Sequence, residues 1–322
     1  MKTSLLLLVA LFASPLSATD AKTLPEDLAR RFAYDASQPL DVRLARIGEK
    51  DGVRTSDLSY ASPKGGRVTG FLVEPAGKGP FAGIVFGHWG PGNRTEFLPE
   101  AALWAQAGAV CVMIDYPWVR PEPLRVNQGR GFDEPDKDRA SWEAAVVDLR
   151  RAIDLLAARP DLDEARIGYV GHSYGAQWGA ILTAVDRRVR AAVLMGGVPS
   201  GESTLVEVDD PDTKALREAS KPETIEKYFV INRPYDAIRY VPYAAPTPLF
   251  FQFATHERFV TEAAMKRYYA AASEPKVERW YDTGHDLNDL RALADRAAWL
   301  GPKLGVKPMG PILEQRLRSD IR

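Results

Sequence analysis

Between residues 53 and 300 the chain changes its hydrophobic period again and again. Short apolar runs of strand length, at 82–86, 110–114, 166–170, Val189–Met195, 249–253 and 277–281, alternate with helix-like stretches. One such stretch covers 95–107 and stops at Gly108. Another carries Trp142, Ala145, Val146, Leu149, Ile153 and Leu156 and ends at Pro160. A third is Tyr174–Val185, and a closing one holds Leu287, Leu290, Leu293, Ala297 and Leu300. The runs at 82–86 and 110–114 are apolar throughout, which a strand shows when both its faces are covered. The rhythm therefore predicts an α/β fold, a mostly parallel sheet with helices on both faces. Two earlier runs, 53–60 and 67–73, flank Ser62-Pro63-Lys64-Gly65-Gly66 and read as an antiparallel hairpin at one edge.

Residues 198–246 interrupt the rhythm with acidic, aromatic and proline-containing segments between two strands. Fewer than fifty residues make a poor independent core. The stretch is expected to be a cap insertion over the carboxyl ends of the strands. The tail after Gly301, with Pro302, Pro308 and Pro311, reads as a loosely packed extension.

The amino terminus has another character. Lys2 precedes an apolar run from Leu5 to Ala13, and Ser14, Pro15, Leu16, Ser17 and Ala18 break it. This is the shape of a secretory signal peptide, too short for a stable membrane anchor. Cleavage is expected after Ala18, with Ala21 the alternative, leaving residues 19–322 as one exported domain, periplasmic or secreted. With 42 Lys plus Arg against 43 Asp plus Glu, the net charge of −1 gives no reason to expect a nucleic-acid or anionic-membrane partner. The single cysteine, Cys111, excludes an intrachain disulfide and a Cys-based metal cluster, and its apolar neighbours mark it as a core residue.

The chemistry is concentrated in Gly171-His172-Ser173-Tyr174-Gly175, a G-x-S-x-G pattern set between a strand and a helix. A sharp strand-to-helix turn holds the serine in a strained backbone conformation and lifts its hydroxyl to a helix N-terminus, where the dipole favours developing negative charge. Gly175 and Gly179 share one helix face and let the helix approach the sheet. In these residues the chain resembles the α/β-hydrolases, and more narrowly the dienelactone-hydrolase-like and acetyl-xylan-esterase-like bacterial esterases, over roughly residues 53–300. Ser173 stands where dienelactone hydrolase itself carries a cysteine.

The resemblance implies a base, an acid and an oxyanion hole. Of four histidines, His285 follows the last strand in Thr283-Gly284-His285-Asp286, where α/β-hydrolases carry the catalytic base. His172 is expected to point away from the nucleophile, His88 to be structural and His256 to be a loop neighbour. The segment from Pro248 to Val260 resembles the family's strand followed by G-x-x-D, with Ala254 for the glycine and Glu257 for the aspartate. Glu257 is the expected acid, and Asp236 and Asp282 are the alternatives. The turn His88-Trp89-Gly90-Pro91-Gly92 resembles the family's H-G-G-P-G. It implies that Gly90, or alternatively Trp89, joins Tyr174 in offering backbone N–H groups to an oxyanion; Pro91 has none to offer. Trp89, Trp118 and Tyr174 are expected at the pocket rim. Arg94, Arg120 and Arg125 are read either as contacts to an acidic or sugar-bearing substrate or as solvated side chains, and Asp115 as a loop-fixing acceptor.

The resulting expectation is a serine hydrolase of small-molecule carboxylic esters that needs no metal or organic cofactor. A prolyl-oligopeptidase-like peptidase and a catalytically inactive binding protein of the same fold are the alternatives, and the oligomeric state stays open.

Overall fold

The computed structural model describes residues 22–319, with side chains through 315. The expected leader, residues 1–18, and both cleavage points lie outside them. After a short helix α1 (Glu26–Arg30), three strands run antiparallel: β1 (Arg43–Lys50), β2 (Val53–Ala61) and β3 (Arg67–Pro75). Then β4 (Phe81–Gly87), α2 (Leu98–Ala107), β5 (Ala109–Ile114), α3 (Pro135–Ala157), β6 (Leu162–His172), α4 (Tyr174–Val185) and β7 (Val189–Met195) alternate. The segment before β8 (Leu249–His256) holds α5 (Gly201–Leu205), α6 (Pro211–Ala219), α7 (Pro222–Asn232) and three 3₁₀ turns. The chain closes with α8 (Glu262–Ala271), β9 (Lys276–Gly284), α9 (Leu290–Leu304) and α10 (Gly310–Ser319).

The nine strands form one sheet in the order β1-β2-β3-β5-β4-β6-β7-β8-β9, and every pair from β5 to β9 is parallel. This is the α/β-hydrolase arrangement. The apolar runs of β4 and β5 are buried on both faces, as their composition demands. In β5, Val110, Val112 and Ile114 join the core under α3 and α4, while Ala109, Cys111 and Met113 join the core under α2 and α9. Side chains alternate across a strand, so a strand covered on both sides has no polar position to offer.

Several elements differ from the sequence expectation, each for a physical reason. One edge of the sheet is β1, all of whose residues are exposed, so burial imposes no hydrophobic pattern on it. Helix α2 starts at Leu98 rather than Thr95, because the Asn93 side chain takes the Thr95 amide (2.9 Å) and hydroxyl (2.7 Å) in a turn first. Helix α3 begins seven residues before Trp142, with Pro135 opening a polar first turn that suits a helix N-terminus. The tail is not loose. Helix α9 continues through Pro302, Gly305 caps it in the left-handed conformation, and Leu304 and Met309 are buried, with Ile312 and Leu313 of α10 packed on the same core. The three prolines obscured this apolar spacing. Among the described residues no helix is long and apolar enough to cross a membrane.

Candidate active site

The strand β6 runs straight into Ser173, which has φ 54° and ψ −112°, and α4 starts at the next residue. A non-glycine residue is strained there. Close packing enforces it: a Cβ on Gly175 would lie 1.9 Å from the Gly87 carbonyl oxygen, and one on Gly179 would lie 2.3 Å from the Tyr169 ring. The helix therefore touches the ends of β4 and β6 through bare backbone. The Ser173 amide donates to the Met195 carbonyl (2.7 Å), and its hydroxyl does not cap α4. Among the described residues that hydroxyl has no hydrogen-bond partner, the His285 imidazole included.

The turn after β4 is pinned to this elbow by Gly175 N–H donating to the His88 carbonyl at 3.0 Å. Buried His88 accepts the Tyr116 amide at Nε2 (3.1 Å), so its Nδ1–H donates to the Trp89 carbonyl (2.5 Å). Burial drives its pKa down to about 3, which keeps it neutral and structural. Glu96 Oε2 accepts the Trp89 amide at 2.7 Å, and the Gly92 amide closes the turn onto the Trp89 carbonyl at 3.1 Å. Among the described residues the amides of Gly90 and Tyr174 have no hydrogen-bond partner. Gly90 packs on the Tyr174 ring, and its carbonyl accepts the Trp118 indole N–H at 2.7 Å. Trp118 lies across Tyr174, with ring centroids 6.0 Å apart, whereas the Trp89 indole folds back over Gly92.

His285 lies between β9 and α9, and its Nδ1 meets Glu257 Oε2 at 2.6 Å. The other oxygen of Glu257 accepts the amides of Arg258 and Phe259, each at 2.8 Å. Burial would raise the Glu257 carboxyl, but the bond and charge of His285 and these two amides outweigh it and hold the group below its ordinary value. The edge of the Phe259 ring packs on His285 at 4.7 Å between centroids. Gly196, one residue past the acceptor of the Ser173 amide, has φ 54°, and a side chain there would crowd the His285 ring at 3.3 Å. The elbow and the His285 loop thus rest on adjacent residues, Met195 and Gly196.

The alternative acids are engaged elsewhere. Asp282 pairs with exposed His256 at 2.7 Å, and buried Asp236 accepts the Gly201 amide at 2.9 Å. Arg94 and Arg120 are held by the protein's own groups, whereas Arg125 is exposed to solvent. Arg94 bonds Asp57 (2.6 Å) and the Gly70 carbonyl (3.0 Å), Arg120 is buried against Asp148, and Arg125 donates to the Arg120 carbonyl (3.0 Å). Asp115 fixes its loop, accepting the Thr69 hydroxyl (2.6 Å) and the Arg94 amide (2.9 Å). Two contacts of His172, whose side chain turns away from Ser173 as expected, escaped the sequence reading. His172 points beneath the site, with Nδ1 2.6 Å from Glu96 Oε1 and Nε2 2.9 Å from the His285 carbonyl. Glu96 belongs to no motif; a carboxylate seven residues past Trp89 was its only trace.

Residues 29–199, just over half of the chain, match the family model described as acetyl xylan esterase (AXE1). The acetyl xylan esterase from Paenibacillus sp. R4 superposes with a TM-score of 0.67 at 20% identity, covering 80% of this chain and 86% of that one. Acetyl xylan esterase 1 from Thermoanaerobacterium sp. JW/SL YS485 superposes with a TM-score of 0.68 at 17% identity, covering 88% and 95%. By sequence the chain is 22% identical to protein YfhR of Salmonella typhi over 234 residues, 72% of this chain and 74% of that protein.

Proposed function

Because the chain belongs to the acetyl xylan esterase family, and is a carboxylic ester hydrolase of the α/β-hydrolase fold, we propose that it works through Ser173, His285 and Glu257 by way of an acyl-enzyme. Ser173 Oγ attacks the acyl carbon while His285 Nε2 takes its proton. Glu257 holds the Nδ1–H tautomer and stabilises the imidazolium. The amides of Gly90 and Tyr174 bind the tetrahedral oxyanion. His285 then protonates the departing alcohol, and water activated by the same imidazole releases the acid and regenerates the serine.

The observation that carries this reading is the 2.6 Å contact between Glu257 and His285 on a base loop seated against the elbow. The open Ser173–His285 bond is compatible with it, since catalytic hydrogen bonds often tighten only around substrate. The acyl group is a short one, acetyl being the natural candidate from the relatives' substrate. Ser173 and His285 are only 7% and 6% exposed, and Phe259 packs against the base. Residues 198–246 act as a cap that narrows the entrance. Support comes from α7, whose Tyr228 reaches Asp138 of α3 at 3.0 Å and packs on Phe132.

A fluorophosphonate probe is expected to label Ser173, and Ser173→Ala to abolish both labelling and hydrolysis of an aryl acetate. An active protein labelled elsewhere overturns the assignment. The protein is exported after removal of residues 1–18, and the Lys2 start with its apolar run supports this. N-terminal sequencing of the mature form is expected to begin at Thr19; a cytoplasmic form that keeps Leu5 to Ala13 would contradict it.

A further inference from the structure

We propose that Glu96 is a positioning residue that sets the oxyanion turn and the base loop in register through one carboxylate. The proposal rests on the roles given above to Gly90 and His285. Glu96 Oε2 accepts the amide of Trp89, the residue immediately before the oxyanion donor. Its Oε1 meets His172 Nδ1 at 2.6 Å, and His172 Nε2 meets the backbone carbonyl of His285 at 2.9 Å. One chain of three hydrogen bonds thus runs from the turn after β4, under the nucleophile, to the loop after β9.

The partners dictate the protons. A carbonyl only accepts, so His172 Nε2 carries a hydrogen and donates to His285, which leaves Nδ1 to share a proton with Glu96 Oε1 in a short, directional bond. The His172 side chain is 3% exposed and the Glu96 side chain 20%, so little water competes for these bonds. Neither residue faces the reacting atoms. Their effect is on where the Gly90 amide and the His285 ring stand, and a displacement of about 1 Å at such groups lowers turnover about a hundredfold.

Three variants test this, read by kcat and KM on an aryl acetate and by thermal unfolding. Glu96→Ala is expected to lower kcat about a hundredfold with KM within about threefold of wild type, the signature of a contact that matters in the transition state. Glu96→Asp is too short to span both partners and is expected to fall similarly; it carries the test if the alanine variant does not fold. Glu96→Gln restores both bonds, its carbonyl accepting from Trp89 and its amide donating to a neutral His172, and is expected to recover at least tenfold over alanine. Folded Ala or Asp variants within threefold of wild-type kcat overturn the proposal, as does a rise in KM alone, or a glutamine variant no better than alanine. Ser173→Ala run alongside separates the two levels. Activity surviving in it condemns the site assignment, whereas its loss with Glu96 variants unaffected condemns only the role of Glu96.

Discussion

At the scale of single residues, the sharpest test concerns Glu257. Glutamine keeps its shape but faces the imidazole with an amide in place of a carboxylate, which favours the wrong tautomer of His285. Loss of the triad acid in this way lowers turnover by about 10⁴-fold, or ~5.5 kcal/mol. Glu257→Gln is therefore expected to collapse kcat/KM on an aryl acetate, while Asp282→Asn, whose carboxylate pairs with exposed His256, stays within about tenfold of wild type. The opposite ranking would move the acid to Asp282. The site was unevenly legible from residues alone. Ser173 and His285 announce themselves by local pattern and by place after a strand. Glu257 is reached as the proposed acid only by tolerating two departures from the family's pattern. Glu96 and His172 act through contacts between positions 76 residues apart, and His172 and His285 through one spanning 113, distances that no local pattern encodes.

At the scale of elements, legibility followed burial. β5, α4 and β7 are packed on both sides, so their composition is dictated and their limits were read to within a residue. β1 is exposed throughout and α8 buries only Ala264, Met265 and Tyr268, so neither announced itself by period. The segment between β7 and β8 carries its own buried charge. Asp236 accepts the Gly201 amide at the start of α5, and burial raises its pKa to about 7; Glu202 adds to the shift, while Arg233 and Arg239 oppose it. Between about pH 4 and 7 the folded protein thus holds a proton that the unfolded chain has released. Stability contributed by this group is present at low pH and is lost as pH rises, at no more than about 1.4 kcal/mol per unit. Asp236→Asn keeps the acceptor without the titration. Its stability relative to wild type, followed by urea unfolding, is expected to improve steadily from pH 4 to 7; parallel curves would show that Asp236 ionises normally.

At the scale of the whole molecule, the site is assembled from both the middle and the margin of the sheet. Gly90 and Ser173 follow β4 and β6, which pair with each other and are flanked on either side by further strands. Glu257 and His285 follow β8 and β9, and β9 is the last strand, paired on one side only and half-exposed along most of its length. Local opening starts where backbone hydrogen bonds face solvent and buried contacts are few. On warming, then, the margin frays first, carrying Glu257 and His285 away from Ser173, which still sits in an intact centre. Loss of activity is expected to precede loss of fold: the rate of fluorophosphonate labelling at Ser173 falls several degrees below the midpoint seen by far-ultraviolet circular dichroism, and returns on cooling. Coincident transitions would mean that β9 opens only together with the rest of the sheet.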